Sequence, residues 1–231
     1  MRIAFFTGAG ISASAGIPTY RDGGSSWVNK DLEAKSHYIR YGNHLDELWV
    51  KHWGPLVRTI AAAEPTKAHQ FIASLDQDHE VLVATQNVDD LHEAAGSTNV
   101  IHLHGTMDLR CLRCKTVHQS YSLQQIEAPF CPSCGINRTR PDAVLFGEGV
   151  PRKPYKTAER FMRRAEMIVV VGSSLWVEPA ASLVTSQFGT VKRLVLVNAE
   201  RITQAGGFDD VWIGDADELI GSAVSAGLVP A

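Results

Sequence analysis

Four cysteines form two Cys-x-x-Cys pairs whose spacing is typical of a zinc site. The pairs are Cys111–Cys114 and Cys131–Cys134, with sixteen residues between them. Two such turns can surround one Zn²⁺ ion with four thiolates, and a segment this small needs the metal to stay folded. Because four protein ligands leave no open coordination position, we predict a structural role for the zinc. Redox-active thiols are the alternative, and the few basic residues nearby give little support to a nucleic-acid-binding zinc ribbon.

A glycine-rich turn follows the first apolar run of the chain, Ile3–Thr7. Gly8 and Gly10, with Ala9 between them, would let the backbone approach a pyrophosphate, whose charge suits the N-terminus of the following helix. The usual fingerprint is Gly-x-Gly-x-x-Gly, and this chain has Ala13 at the third position. On its own, the turn therefore predicts a dinucleotide site only weakly, and a tight turn without a ligand stays an alternative.

Short polar side chains and two histidines follow the next two predicted strands. Asn87 and Asp89 come directly after Val81–Thr85, at the edge where ligands meet a doubly wound sheet, and could hold a ribose, an amide or a water molecule. Taken alone, such residues are more often turn formers. His102 and His104 lie at the end of the following strand, and either could act as an acid or base near neutral pH. Their alternation along the strand does not choose between them.

The elements that must position these residues alternate along the chain. Apolar, β-branched runs are the predicted strands: Ile3–Thr7, Val81–Thr85, Val100–Leu103, Ile168–Val171, Leu194–Val197 and Val211–Ile213. The predicted helices are Pro65–Leu75, Arg160–Glu166, Pro179–Phe188 and Asp217–Ala226. This alternation predicts an α/β fold with a doubly wound, Rossmann-like and mostly parallel sheet that helices cover on both faces.

Two stretches interrupt the alternation. Residues 24–63 are rich in aromatic, histidine and charged residues and have no clear strand, so we predict a helical or loop excursion. Residues 105–141 hold all four cysteines and few apolar residues, and we predict a small inserted zinc-binding module. Residues 1–23, 64–104 and 142–231 would form the nucleotide-binding part of what we predict to be a single domain over 1–231.

Composition and charge disfavour several other classes of protein. The chain is 45% hydrophobic and 20% charged, with a net charge of −3 and a sequence pI of about 6.3. These values do not favour strong binding to nucleic acid or to an anionic membrane. No apolar run approaches about 18 residues, and Ile3–Phe6 leads into the glycine turn without a cleavage-type site, so we expect a cytoplasmic protein. No feature calls for an oligomer, and we expect a monomer.

Six co-linear motifs, between about residues 3 and 217, resemble those of the sirtuin family in its bacterial form. They are Gly8–Arg21 (GAGISASAGIPTYR), Gln86–Asp89 (QNVD), His104–Gly105, Arg140–Glu148 (RPDAVLFGE), Val171–Ala180 (VGSSLWVEPA) and Val197–Asn198. The two cysteine pairs also stand at the expected place in this order. The resemblance implies an NAD-dependent protein-lysine deacylase, which transfers ADP-ribose from NAD to the acyl oxygen of a modified lysine. Nicotinamide, O-acyl-ADP-ribose and free lysine are the implied products.

The resemblance also implies the partners and the residues of the site. NAD would be the co-substrate, one Zn²⁺ would be structural, and acyl-lysine-bearing proteins would be the partners. His104 would be the general base, with Asn87 and Asp89 as the other catalytic residues. The implied cofactor-binding residues are Gly8, Ala9, Gly10, Ile17, Tyr20, Arg21, Gln86, Asn87, Asp89, Gly172, Ser173, Ser174 and Asn198.

The resemblance implies that the acyl-lysine substrate meets residues 144–148. Val144 and Phe146 would line the acyl-lysine tunnel, while Gly147 and Glu148 would offer backbone to a peptide that adds as a strand. From the sequence alone, simple core packing is an equal interpretation for Val144 and Phe146.

Two features of this chain, compared with the family pattern, bear on the cofactor and substrate sites. Tyr20 stands where Phe is usual, and its hydroxyl needs a partner if it is buried. Members that remove acidic acyl groups carry a Tyr-x-x-Arg pair, which is absent from residues 49–58, so we favour acetyl or another neutral acyl group. An NAD hydrolase or ADP-ribosyltransferase on the same fold is the first alternative. A non-catalytic zinc-ribbon binding protein is the second.

Overall fold

The computed structural model describes residues 1–19, 30–119 and 129–221. Its strands are β1 (Arg2–Thr7), β2 (Glu80–Thr85), β3 (Val100–His102), β4 (Gly105–Cys111), β5 (Val117–His118), β6 (Thr139–Ala143), β7 (Met167–Val171), β8 (Arg193–Asn198) and β9 (Asp210–Ile213). Its α-helices are α1 (Lys30–Lys35), α2 (Leu45–Leu48), α3 (Gly54–Ala62), α4 (Lys67–Ser74), α5 (Leu91–Ala94), α6 (Arg152–Met162), α7 (Ser182–Thr185) and α8 (Ala216–Gly221). None of the described helices has the length and apolarity needed to cross a membrane.

Six of the strands form one sheet in the order β3-β2-β1-β7-β8-β9. Every neighbouring pair in this sheet is parallel. The order of the strands reverses between β1 and β7, and this switch point is where open α/β sheets bind ligands at the carboxyl ends of their strands. The predicted doubly wound, mostly parallel sheet is therefore confirmed.

Alternate residues along the strands feed two separate apolar cores. In β1, Ala4 and Phe6 belong to a core that includes Ala158 of α6 and Leu183 of α7. Ile3 and Phe5 belong to a second core, on the opposite face, that includes residues of α4 and α8. A strand buried on both faces has no polar side, which explains the continuous apolar runs of the sequence. Each fully buried large side chain contributes roughly 1.5–3 kcal/mol to stability.

The chain divides into two compact units. The first comprises Met1–Ala15, Glu64–Leu103 and Val150–Ala231 and contains the six-stranded sheet. The second comprises Gly16–Ala63 and His104–Gly149 and contains α1–α3 and a three-stranded antiparallel sheet in the order β5-β4-β6. The sequence analysis divided the chain differently, into a nucleotide-binding part, a helical excursion and a zinc-binding module, and that division stays a prediction.

The helices agree less closely with their predicted bounds than the strands do. The helix predicted at Pro65–Leu75 is present as α4, which Thr66 caps by accepting a hydrogen bond from the His69 backbone N–H. The prediction of Arg160–Glu166 was wrong, because α6 begins eight residues earlier, at Arg152, and ends at Met162. Pro154 lies in the first turn of α6, where a missing N–H costs nothing, so it does not break the helix. Helix α8 covers part of Asp217–Ala226, and the rest of that prediction lies outside the described residues.

Candidate active site

The turns after β1 and β7 are packed backbone against backbone at the switch point. The N–H of Gly8 donates to the carbonyl of Val171 (3.0 Å), and the N–H of Gly10 donates to the carbonyl of Gly172 (3.0 Å). A Cβ at Gly10 would stand 2.7 Å from the Cα of Gly172, closer than real Cβ atoms approach. Glycine is thus required here by the contact between the two turns as well as by any ligand that approaches them.

Polar side chains surround this contact at the carboxyl ends of neighbouring strands. Ser173 is 3% exposed, and its hydroxyl donates to Oε1 of Gln86 at 2.7 Å. Ser174, which follows it, is half-buried. Asn198 ends β8, is half-buried, and donates from its side-chain amide to the carbonyl of Glu200 at 2.8 Å. Ala9 begins the 3₁₀ helix Ala9–Ala15. The first unit therefore brings together the predicted phosphate-binding and ribose-binding residues.

A buried polar group joins Asn87 and Asp89 through Ser12. The Ser12 hydroxyl accepts a hydrogen bond from Nδ2 of Asn87 (3.1 Å) and donates to Oδ2 of Asp89 (3.1 Å). Asn87 is 7% exposed and Asp89 is 3% exposed. Burial raises the pKa of the Asp89 carboxyl, although hydrogen bonds from the Leu91 N–H and from Ser12 partly offset the effect. Ser12 was not among the predicted site residues, although it lies within the glycine-turn motif.

His102 holds the backbone of Asn87 from the other side. Its Nδ1 lies 3.1 Å from the carbonyl oxygen of Asn87, and its Nε2 lies 2.8 Å from Oε1 of Glu93. Both partners are acceptors when the Glu93 carboxyl is ionised, so both ring nitrogens must donate and the ring is an imidazolium. Burial would lower the pKa of His102, but the hydrogen bond and charge of Glu93 outweigh burial and raise it. The side chain of His102 therefore forms an ion pair with Glu93.

Two further histidines, His69 and His92, are buried near the end of β1. The rings of His69 and His92 meet edge to face with their centroids 4.6 Å apart. Nε2 of His92 lies 3.0 Å from the hydroxyl of Thr7, at the end of β1. Burial lowers the pKa of His69 to about 4 and that of His92 well below its ordinary value. Both rings are therefore neutral near pH 7 and act as packing and hydrogen-bonding groups.

The second unit holds His104 and the predicted acyl-lysine segment. His104 is half-buried, and its carbonyl accepts a hydrogen bond from the N–H of Val144 at 2.7 Å. Leu145 is 6% exposed, whereas Val144 and Phe146 on either side of it are half-buried. Leu145 is therefore the core residue of the three, and its two neighbours keep part of their surface accessible.

The predicted substrate segment has a fixed backbone. Oε1 of Glu148 accepts from the Arg140 guanidinium (2.9 Å), and Oε2 accepts from the Leu145 N–H (2.8 Å). The Phe146 carbonyl accepts from the N–H of Tyr38 (2.9 Å). Gly147 has a φ of +81°, which favours glycine, and a Cβ there would overlap the ring of His37. Of the other predicted residues, Ile17 is 7% exposed, and Tyr20 and Arg21 lie outside the described residues.

The four cysteine sulfurs form a compact cluster in the second unit. All four lie within 4.8 Å of one another, with 3.7 Å between Cys111 and Cys134 and 3.5 Å between Cys114 and Cys131. Four sulfurs about 2.3 Å from a tetrahedral Zn²⁺ would show similar separations. The backbone N–H of Cys114 donates to the sulfur of Cys111 (3.4 Å), which holds that side chain in the cluster. The predicted set of zinc ligands fits one structural Zn²⁺.

This class of protein is a dinucleotide-binding α/β protein with a structural zinc site. It is defined by the order of the strands, the glycine turns at the switch point of the sheet and the four-cysteine cluster. The chain belongs to the Sir2 family, whose model matches residues 8–179. It is 39% identical over 207 residues to the NAD-dependent protein deacylase of Thermus thermophilus, covering 86% of this chain and 80% of that protein. It is 36% identical over 215 residues to the NAD-dependent protein deacylase of Mycobacterium tuberculosis, covering 89% of each.

Solved structures give the same result for the fold and describe ligands of related proteins. A Sir2 homologue in complex with NAD superimposes with a TM-score of 0.87 at 34% identity, covering 97% of this chain and 88% of that one. A Sir2 protein bound to a propionylated peptide superimposes with a TM-score of 0.83 at 28% identity, covering 99% of this chain and 94% of that one.

Proposed function

We propose that this chain is an NAD-dependent protein-lysine deacylase that acts on acetyl or another neutral acyl group. The observation that carries the proposal is the buried group of Asn87, Ser12 and Asp89, next to a glycine turn at the switch point of the sheet. An amide and a carboxylate held rigidly at this edge suit a ligand with a carboxamide and ribose hydroxyls. NAD has both groups, and relatives with this activity are 34–40% identical to the chain.

The residues of the first unit fit NAD as co-substrate. The backbone of Gly8–Gly10 and of Gly172–Ser174 would hold the pyrophosphate, because both turns lie at the switch point, where α/β sheets bind ligands. Gln86, Asn87 and Asp89 would face the nicotinamide ribose and carboxamide, and Asn198 would hold the adenosine ribose. Ile17, Tyr20 and Arg21 complete the proposed cofactor set from the sequence resemblance. When bound, NAD supplies the anomeric carbon that accepts the acyl oxygen.

His104 is the proposed general base. His102, the other histidine of the same motif, has both ring nitrogens committed to Asn87 and Glu93 and cannot accept a proton while it is an imidazolium. His104 would take a proton from a ribose hydroxyl, a step that typically contributes about a hundredfold to ten-thousandfold in rate. Positioning of the acyl oxygen against the anomeric carbon would provide much of the remaining acceleration.

Residues 144–148 are the proposed acyl-lysine site. Val144 and Phe146 would contact the acyl chain, since both stay half-buried while Leu145 fills the core. Gly147 and Glu148 would pair with the backbone of the substrate peptide, and the Arg140–Glu148 ion pair keeps this segment in place. A neutral acyl group is favoured because no Tyr-x-x-Arg carboxylate clamp is present in residues 49–58.

The proposal also covers partners and compartment. Acyl-lysine-bearing proteins are the substrates, the zinc has no catalytic role, and the chain acts as a monomer in the cytoplasm. Four cysteines at metal-binding spacing are typical of a reducing compartment.

The proposal is tested by incubating the protein with an acetyl-lysine peptide and NAD and following all products by mass spectrometry. We expect deacetylated peptide, nicotinamide and O-acetyl-ADP-ribose in equal amounts. His104→Ala should reduce this reaction at least about a hundredfold. His79→Ala, which removes a histidine outside the proposed site, should leave it unchanged.

Other products would indicate a different function for this chain. Nicotinamide release without loss of the acetyl group would point to an NAD hydrolase or ADP-ribosyltransferase. Failure to consume NAD with acetyl, longer and acidic acyl peptides alike would support the non-catalytic zinc-ribbon protein.

A further inference from the structure

Helix α6 and the turn after it carry an unusual concentration of positive charge. Residues 152–164 contain six of the 22 lysines and arginines of the chain and a single acidic residue, although the net charge of the whole chain is −3. The six are Arg152, Lys153, Lys156, Arg160, Arg163 and Arg164. The proposed deacylase chemistry uses none of them.

All six cations are exposed, while the opposite side of the helix is buried. Ala158 and Met162 lie in the core of the first unit, and each is at most 1% exposed. Lys156 forms an ion pair with Glu159 at 2.7 Å. Within the described part of the chain, the other five cations have no acidic group within ion-pair distance. The cations therefore form a basic surface, defined here as the six residues above.

Only part of the charge is arranged to stabilise the helix, because Arg160 lies in its last turn and Arg163 at its C-terminal cap. Cations are favourable near the C-terminus of a helix and unfavourable near its N-terminus, yet Arg152 and Lys153 begin α6 and its first turn has no acidic residue. Arg152, Lys156 and Arg160 follow one another at intervals of four residues, so like charges lie one above another. The cations of the first turn and the stacked like charges work against the helix, and such an arrangement indicates a role outside it.

The basic surface has a concave part. A depression of about 440 Å³ is lined by Lys156, Glu159, Arg160, Arg163 and Arg164. Within the helix, from Arg152 to Arg160, the cations extend over about 12 Å, at 1.5 Å per residue. Guanidinium groups along such a line can each bind a carboxylate or a phosphate in a bidentate manner.

Neighbouring side chains distinguish a protein ligand from a nucleic acid. Single-stranded nucleic acids stack their bases on exposed aromatic rings. Here Phe161 lies beneath the guanidinium of Arg2, 5.4 Å from its ring centroid, and Tyr155 packs against the core. The depression also contains Glu159, whose carboxylate pairs with Lys156 and can accept hydrogen bonds from peptide N–H groups, which the backbone of a nucleic acid lacks.

We propose that the basic surface of α6 binds an acidic segment of a partner protein, a stretch with several Asp and Glu residues. This interaction is independent of the proposed deacylase activity. Because the charges are exposed, it should raise the association rate and depend strongly on ionic strength.

The full chain would be titrated, by fluorescence anisotropy, into a short labelled peptide rich in Asp and Glu at low and at physiological ionic strength. A peptide with Asn and Gln at the same positions and a single-stranded oligonucleotide of equal charge are the comparison ligands. The test variant is Arg160→Gln with Arg163→Gln. The control variant, Lys67→Gln with Lys192→Gln, removes two exposed positive charges elsewhere in the first unit.

We expect the acidic peptide to bind, the neutral peptide not to bind, and the test variant to bind about tenfold more weakly than the control variant. The thermal stability of the test variant should be close to that of the unchanged protein, because the loss of two favourable charges at the helix C-terminus offsets the loss of like-charge repulsion. Equal binding of the acidic and neutral peptides, or equal affinity of the two variants, would overturn the proposal. Tighter binding of the oligonucleotide than of the acidic peptide would also overturn it, in favour of a nucleic acid.

Discussion

His102 and His104 are separated by one residue, but we assign them different roles. His102 is held as an imidazolium between the Asn87 carbonyl and Glu93, and His104 is the proposed base. The ion pair fixes the backbone at Asn87, and Ser12 fixes its side chain. Positioning on both sides keeps a residue of the proposed nicotinamide pocket in one conformation.

The His102–Glu93 pair should make stability depend on pH. Since the pKa of His102 in the folded state is raised above its ordinary 6.5, the contribution of the pair is complete below that value and is lost as pH rises through the folded-state pKa. Glu93→Gln should therefore lower the free energy of unfolding by about 1 kcal/mol near pH 6 and by less near pH 9. Urea unfolding at both pH values measures the difference.

Glu159→Gln, at a surface carboxylate paired with a lysine that stays charged at both pH values, is the matched control and should have the same small effect near pH 6 and near pH 9. A deficit for Glu93→Gln that stays constant or grows towards pH 9 would contradict the assignment of His102 as an imidazolium.

At the residue scale, the sequence predicts chemistry better than it predicts contacts. The cysteine spacing and the polar residues after β2 were visible because each depends on residues close together in the chain. Ser12 was missed because its partner Asp89 lies 77 residues away along the chain. Glu93 was missed because its partner His102, nine residues away, lies in the next strand and not on the same helix. The sequence around a serine or a glutamate contains no pattern that predicts such a partner.

At the element scale, the strands of the three-stranded sheet are connected through the turns that carry the four cysteines. Cys111 is the last residue of β4, and its N–H donates to the carbonyl of Thr116, just before β5. Lys115 and Gly135, each directly after a Cys-x-x-Cys pair, have positive φ values of 66° and 69°, so both turns are tightly closed. The metal would hold these turns where the segment lacks enough apolar area of its own.

Removal of zinc should therefore loosen β4–β6 while leaving the parallel sheet intact. We expect one equivalent of zinc in the purified protein and, after chelation, faster amide hydrogen exchange in β4–β6 with little change in β1, β2, β7 and β8. Cys134→Ser should reproduce the effect, and Ser133→Ala, within the same pair, should not. Unchanged exchange after chelation, or protein without bound zinc, would be inconsistent with a structural metal.

Strands were easier to predict than helices for a physical reason. Strands buried on both faces appear as continuous apolar runs, so β7 was predicted to within one residue. Helix α6 has only one buried side, and its six cations and Pro154 conceal the helical pattern. Its true start depends on tolerance of proline in the first turn, which an apolar pattern does not reveal.

At the scale of the whole molecule, the order of the strands explains why distant motifs share one site. Strand β1 lies between β2 and β7, although β7 begins 160 residues after β1 ends, at Met167 and Thr7 respectively. The sequence predicted a parallel sheet but not this order, because strand order depends on crossovers and on packing over long separations. The family resemblance supplied the grouping of motifs that local patterns could not.

Transfer of ADP-ribose to the acyl oxygen of the substrate can be followed with an isotope label. The protein would be given NAD, ordinary water and a peptide whose acetyl-lysine carbonyl carries ¹⁸O. Fragmentation of the product by tandem mass spectrometry at early times would locate the label. A new bond between the acyl oxygen and the anomeric carbon predicts ¹⁸O in the ADP-ribose part of O-acetyl-ADP-ribose. Label found only in free acetate or in the acetyl group would contradict the account.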